Sequence, residues 1–217
     1  MQVKICGVCR PEDAALVAAA GADYIGVILA PGGKRSQSEE AAAAIYAAAA
    51  SCKRVGVFVD ATPAAVETTA ARLGLDVVQL HGAETPEDAV ALRAAGWQVW
   101  KAIRPRGAAE FLAGVERYAG AVDALLLDGW SGTAPGGTGA RFPWAEVGAV
   151  RDRLPPGLRL VVAGGLEPGN LAEAIAHLDP DVVDVSSGVE SAIGVKDPIL
   201  VTEFVAAARA GRGVPGS

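Results

Sequence analysis

The sequence is poor in the residues that mark a specialised surface or an aromatic core. Aromatics make up 5% of its 217 positions and methionine occurs once, so the core must be built from Val, Leu, Ile and Ala. Three cysteines, Cys6, Cys9 and Cys52, are too few and too odd in number for a disulfide framework. A structural zinc needs four ligands. Beyond the Cys6–Cys9 pair only Cys52, His81 and His177 remain, each isolated, so no metal is expected. A thioredoxin-like pair would open a helix, whereas here the next helix opens at Pro11, after both cysteines. No basic block exceeds a residue or two and the formal charge is −6. That argues against nucleic acid as a partner, which requires clustered cations. Despite a mean hydropathy of +0.31, no 18 consecutive apolar residues occur without a charge, and no membrane partner is expected. No charged leader with a long apolar run precedes the first strand, so the expected compartment is the cytoplasm.

What the chain has in quantity is 45 alanines and 27 glycines, within a composition that is 51% hydrophobic and 20% charged. That is a folded domain. Short apolar runs rich in Val, Ile and Leu recur at residues 3–6, 24–29, 54–59, 77–80, 99–103, 124–128, 160–163 and 182–186. They read as parallel strands buried on both faces. Between them lie helical stretches at 11–20, 39–50, 63–73, 86–95 and 168–177. Proline opens several, where its missing N–H would be unpaired anyway. Gly21, Gly74 and Gly96 stand where a left-handed cap would end a helix. Eight such units predict an α/β fold, a single (β/α)8 TIM barrel over residues 1–210. The Gly- and Pro-rich residues 211–217 are expected to fray. A doubly wound open sheet is the alternative, but no G-x-G-x-x-G follows the first strand. The gaps after strands 2 and 6 are long, and long strand-to-helix loops of a barrel are commonly functional.

Barrel chemistry gathers at the C-terminal ends of the strands. Those ends carry Cys6, Arg35, Asp60, His81, Arg104, Asp128, Gly164-Gly165 and Ser186-Ser187-Gly188. The last two turns predict a phosphate site, because small residues let backbone N–H groups approach an anion, aided by the helix expected to open at Pro168. Gly137 and Gly139, in the long loop after strand 6, are further candidates for the same phosphate.

Val3-Lys4-Ile5-Cys6-Gly7 followed by Arg10-Pro11-Glu12-Asp13-Ala14, Arg54-Val55-Gly56-Val57-Phe58-Val59 and Val78-Gln79-Leu80-His81-Gly82 resemble phosphoribosylanthranilate isomerase. So do Leu125-Leu126-Leu127-Asp128, Gly136-Gly137-Thr138-Gly139 with Phe142 and Trp144, and Ala163-Gly164-Gly165-Leu166 with Asn170. Asp184-Val185-Ser186-Ser187-Gly188-Val189-Glu190, then Gly194, Lys196 and Asp197, complete a resemblance that runs the length of the chain.

The resemblance implies an Amadori rearrangement in tryptophan biosynthesis, without cofactor or metal. A small phosphosugar, N-(5′-phosphoribosyl)anthranilate, would be the substrate of a monomer or homodimer. It implies Cys6 as general base and Asp128 as general acid, so Cys6 needs help to ionise and Asp128 should be raised to hold a proton. Arg35 is the expected partner of the anthranilate carboxylate on its fork geometry. The local Pro31-Gly32-Gly33-Lys34-Arg35-Ser36 departs from the family's usual Ser-Pro-Arg, which leaves Lys34 as an alternative. His81 either hydrogen-bonds in the site or is structural. Asp184 either bonds a substrate hydroxyl or amine, or orients the Ser186-Ser187 turn. Cys9 stands where the family more often has Thr, and oxidation to a Cys6–Cys9 disulfide would silence the base. The related aminoaldose isomerase of histidine biosynthesis, or a dual-specificity version, uses paired aspartates, and Cys6 at strand 1 points away from it. A non-catalytic phosphometabolite-binding barrel would have lost the acid or the base, yet both are present.

Overall fold

The computed structural model describes residues 1–129 and 143–211. Its framework is a closed barrel of eight parallel strands in sequential order. These are β1 (Gln2–Ile5), β2 (Tyr24–Ile28), β3 (Lys53–Phe58), β4 (Val77–Leu80), β5 (Gln98–Ile103), β6 (Ala124–Leu127), β7 (Arg159–Val162) and β8 (Val182–Val185). β1 closes the ring by pairing with β8, with Lys4 opposite Asp184. Helices α1 (Pro11–Ala19), α2 (Glu39–Ala48), α3 (Pro63–Leu73), α4 (Pro86–Ala94), α5 (Ala108–Tyr118), α6 (Trp144–Gly148), α7 (Leu171–Leu178) and α8 (Pro198–Ala210) surround it. A short hairpin, β9 (Glu190–Ala192) and β10 (Val195–Lys196), is inserted between β8 and α8. The predicted barrel is therefore the observed fold. Gly137 and Gly139, the rest of their loop, and the tail beyond Gly211 lie outside the described residues.

Side chains alternate across each strand, so each feeds two cores. Outward residues such as Val3, Ile25, Leu125 and Val183 pack under the helices. Inward residues, among them Tyr24, Trp100, Leu126 and Val161, fill the barrel. At its base Tyr24 meets Trp100 edge-on, with ring centroids 5.0 Å apart, and donates to Gln2 Oε1 at 3.1 Å. Most helices start as their sequences direct. Thr62 and Thr85 cap α3 and α4, Pro follows each cap, and Asp88 completes a capping box. Gly21, Gly74 and Gly96 all have positive φ, as expected of C-terminal caps.

A fourfold repeat fastens the N-terminal face of the barrel. Asp23, Asp76, Asp123 and Asp181 each stand immediately before an even-numbered strand. Each carboxylate accepts the N–H of a residue in the preceding odd strand: Val3, Arg54, Val99 and Leu160, at 2.7–2.8 Å. Each aspartate's own N–H returns a bond to that residue's carbonyl. This pairs β1 with β2, β3 with β4, β5 with β6 and β7 with β8. It holds the face opposite the one where chemistry is expected.

Several expected boundaries are corrected. Most helices end one or two residues earlier than their sequences suggest, which is ordinary fraying. Cys6, Asp128 and Ser186 lie one residue beyond their strands, because the ladder stops there and the chain turns. The helix expected from Pro168 begins at Leu171. Asn170 spends its side chain on a preceding turn, accepting from Glu167 N–H at 3.1 Å and donating to Gly165 O at 2.9 Å. α5, α6, α8 and the β9–β10 hairpin add to the elements read from the sequence.

Candidate active site

The strand C-termini surround an open cavity of about 1170 Å³, larger than most small-molecule sites need. Cys6, Arg35, His81, Asp128, Gly164, Gly165, Asp184, Ser186, Ser187 and Gly188 all line it. The structure thus brings together every candidate that falls among the described residues.

Asp128 is 7% exposed. Its Oδ2 lies 3.1 Å from His81 Nε2 and 3.5 Å from Arg104 Nε. Gln79 Nε2 sits 3.0 Å from His81 Nδ1. His81 thus bridges Gln79 and Asp128 through its two ring nitrogens. Burial raises the Asp128 carboxyl, but the bond and charge of His81, with Arg104, outweigh burial and hold it below the usual carboxylate range. The expectation that Asp128 is raised is not met in this structure, because His81 and Arg104 flank the carboxylate and outweigh its burial.

Cys6 is buried at the end of β1 and donates its N–H to Val185 O at 2.8 Å. Gly7 follows with φ +66, and a Cβ there would lie 2.7 Å from both Arg35 Cδ and Ser186 Oγ. Only glycine allows this turn and this close approach. Burial pushes the thiol up, against the pull of Lys4. Cys9 turns its Sγ to the Gly7 and Arg35 carbonyls, at 3.5 and 3.7 Å. Both cysteines are free thiols.

Arg35 is half-buried, while Lys34 is exposed. Arg35 Nε and Nη2 reach the two Glu190 oxygens at 2.8 and 2.6 Å. Glu190 also takes the Lys196 ammonium at 3.0 Å, and Lys196 donates to Ser186 O at 3.0 Å. Burial raises Glu190, but Arg35 and Lys196 hold it below its ordinary value. This network ties the strand-2 loop to the hairpin across the mouth. Asp184 Oδ2 accepts from Lys4 at 2.8 Å. Its Oδ1, though buried, has no partner among the described residues.

The phosphate candidates form tight turns. Gly164 and Gly165 have φ +80 and +67, and among the described residues their N–H groups have no protein acceptor. A Cβ on Gly164 would stand 1.9 Å from Gly129 N, and one on Gly188 would stand 1.9 Å from Leu166 O. Gly164→Ala is therefore expected to push the ends of β6 and β7 apart. It should lower stability by about 2 kcal/mol or more, and raise KM for a phosphorylated substrate more than it lowers kcat. Thermal melts and steady-state kinetics check both.

Lys4, Gln79, Glu190 and Lys196 are not among the expected site residues, and Arg104, expected only as a strand-end cation, flanks Asp128. Lys4 and Gln79 carried a usable signal: polar residues at inward positions of otherwise apolar strands. Among the described residues no group of three or more His, Cys, Asp or Glu side chains could hold a metal. No described helix is long and apolar enough to cross a membrane.

A closed barrel with an acid, a thiol and anion-ready turns at one mouth defines a (β/α)8-barrel enzyme. Comparison with known proteins narrows this. The family described as N-(5′-phosphoribosyl)anthranilate (PRA) isomerase matches residues 3–207. N-(5′-phosphoribosyl)anthranilate isomerase of Rubrobacter xylanophilus is 43% identical over 209 residues, covering 96% of this chain and 98% of that protein. Monomers generated from the dimeric phosphoribosylanthranilate isomerase of Thermotoga maritima superpose with a TM-score of 0.84 at 35% identity, covering 97% and 99% of the two chains. A phosphoribosylanthranilate isomerase structure in complex with reduced 1-(o-carboxyphenylamino)-1-deoxyribulose 5-phosphate also gives 0.84, at 34% identity over 97% and 99%. The chain belongs to the N-(5′-phosphoribosyl)anthranilate isomerase family.

Proposed function

We propose that this chain converts N-(5′-phosphoribosyl)anthranilate to 1-(2-carboxyphenylamino)-1-deoxyribulose 5-phosphate, an Amadori rearrangement of tryptophan biosynthesis, in the cytoplasm, as a monomer or homodimer. The observation that carries this reading is that Cys6 and Asp128 line one cavity in a chain whose residues 3–207 match the family.

Asp128 gives its proton to the furanose ring oxygen, the bond from that oxygen to C1 breaks, and a protonated imine forms. Cys6 thiolate then removes the proton on C2. The electron pair of that C–H bond becomes the C1=C2 bond of an enolamine, and the imine pair returns to nitrogen. The enolamine tautomerises to the ketone. An acid and a base suffice for these steps. The phosphate sits on Gly164, Gly165, Ser186, Ser187 and Gly188, with Gly137 and Gly139 as the loop's contribution. Arg35 meets the anthranilate carboxylate. Its side-on pair with Glu190 uses Nε and Nη2, which leaves the Nη1 donors for a second carboxylate. Asp184 Oδ1 accepts from a substrate hydroxyl or amine. His81 orients Asp128. The substrate's phosphate and carboxylate bring negative charge to the mouth and so raise Asp128 toward the protonated form its role requires.

The deciding experiment follows the loss of N-(5′-phosphoribosyl)anthranilate fluorescence with the purified protein, beside the aminoaldose substrate of the histidine pathway. Turnover of the first substrate is expected. Inactivity toward it, or a preference for the second, overturns the assignment.

A further inference from the structure

Strand alternation puts Lys4 and Cys6 of β1 on the same inward face. Lys4 Nζ lies 2.8 Å from Asp184 Oδ2, with side chains 0% and 6% exposed. A Cβ on neighbouring Gly26 would fall 2.9 Å from Cys6 Sγ and 3.0 Å from Lys4 Cε. The absent side chain thus lets the thiol and the lysine chain close on a single point. An ammonium, a thiol and a carboxylate are gathered above a barrel interior that is otherwise mainly apolar. Stability does not explain the arrangement, since a well-packed apolar pair commonly serves as well as a buried ion pair or better.

We propose that Cys6, Lys4 and Asp184 form a proton-sharing triad in which Lys4 is the positioning residue that lets the thiol ionise without a net change in buried charge. The Lys4 ammonium gives one N–H proton to Asp184 Oδ2, where an O–H bond forms. The thiol S–H bond then breaks, and its proton passes to the lone pair so freed on the Lys4 amine. The triad begins as thiol, ammonium and carboxylate, and ends as thiolate, ammonium and carboxylic acid, with the same total charge. This inference rests on Cys6 being the base proposed above.

The electrostatics agree with the geometry. Burial raises both Cys6 and Asp184. Burial lowers Lys4, but Asp184 and Cys6 outweigh it and hold the ammonium above its ordinary value. The cation is kept while two acids contest one proton. The other groups that act on Cys6 are Lys196 from the hairpin, Arg35 from the strand-2 loop and Tyr46 of α2. Glu190 already holds Lys196 and Arg35, and Tyr46 donates to Val55 O. Asp184 is also faced by Asp128 and His81 across the mouth, and these two are bonded to each other.

The test is iodoacetamide alkylation of Cys6 across pH, with peptide mass analysis to separate it from Cys9 and Cys52. An internal proton transfer predicts a parent rate with a pH-independent plateau between two limbs, as coupled sites titrate. Asp184→Asn should replace the plateau by a single titration. It should also raise the neutral-pH rate on the order of tenfold, because Lys4 then favours the thiolate unopposed. Lys4→Met should lower that rate on the order of tenfold, because the thiolate would face a buried carboxylate alone. The double variant Lys4→Met, Asp184→Asn keeps the pair neutral, so it stands in if either single variant fails to fold. It should give one titration with an intermediate rate. A single titration in the parent, or shifts of the same sign in the two single variants, overturns the triad. Turnover of Cys6→Ala is read separately. Its retention overturns the base assignment without touching the alkylation profiles.

Discussion

Cys6→Ala and Asp128→Asn are each expected to lower kcat by about 10²–10⁴-fold, the range that one positioned acid or base supplies. KM should change little, because both groups act on bonds altered only in the transition state. Neither exchange should unfold the barrel. The amide of Asp128→Asn still offers an oxygen to His81 Nε2, and the smaller side chain of Cys6→Ala fits beside Gly26. The double variant sharpens the test. The acid serves ring opening and the base serves deprotonation at C2, which are successive steps. Losing the acid slows opening and re-closure alike, so it does not alter their equilibrium. The double variant should then be about as slow as the slower single variant, and far from the product of the two losses. Steady-state fluorescence kinetics on four proteins, with melting curves, would show this. Full activity in both single variants sinks the mechanism. A multiplicative double loss would mean that the two groups act in one step.

Much of this arrangement was legible in the sequence. Eight apolar runs with Pro-opened, Gly-closed helical stretches between them define the barrel, since both signals are local. Strand ends could be read because a parallel strand buried on both faces stops being apolar where it leaves the barrel. Cys6, His81 and Asp128 stand at such ends, whereas Asp184 lies within β8 and is pointed to by the resemblance alone. Pairings were not legible. Arg35 and Glu190 are 155 residues apart and Lys4 and Asp184 are 180 apart, and only closure of β8 on β1 brings the latter two together. For the same reason the direction of the Asp128 shift is not legible in the sequence. His81 and Arg104 were each visible at a strand end, but that both turn inward onto one carboxylate is a property of the closed ring. The start of α7 lies beyond the expected Pro168 because the Asn170 side chain bonds backbone on the preceding turn, a contact that no helical pattern signals. The fourfold aspartate clamp could have been read. An acidic residue just before every even strand is a sequence pattern, and its physical sense is a carboxylate taking an N–H from the strand beside it.

The largest stability loss is expected at a pair outside the cavity. Lys101 points outward from β5, into the layer between barrel and helices. It donates to Leu80 O and Gly82 O at 3.4 and 2.6 Å and to Glu84 at 3.0 Å. Glu84 accepts in turn from Asp60 N and Gly82 N at 2.9 Å each. Both side chains of the pair are 2% exposed. Lys101→Met leaves the Glu84 carboxylate buried without its cation, a change that costs about 3–5 kcal/mol. For a chain of this size that lowers Tm by roughly 10 °C. Glu84→Gln alone strands the ammonium with a cost of the same order. The double variant removes both charges, so it should be clearly more stable than the sum of the two losses predicts. By contrast Arg72→Ala breaks a pair in which Arg72 is 63% exposed, and should stay within about 0.5 kcal/mol of the parent. The Lys101 bonds also reach the cavity. They fix the carbonyls on either side of His81, the residue that orients Asp128. Lys101→Met should therefore lower kcat at temperatures where the protein is still folded, while Arg72→Ala should not. Denaturant titrations of the four proteins in the cycle, with kcat measured well below each Tm, test both parts. Additive losses would show that Lys101 and Glu84 act independently. An unchanged kcat in Lys101→Met would show that the His81 turn holds its place without them.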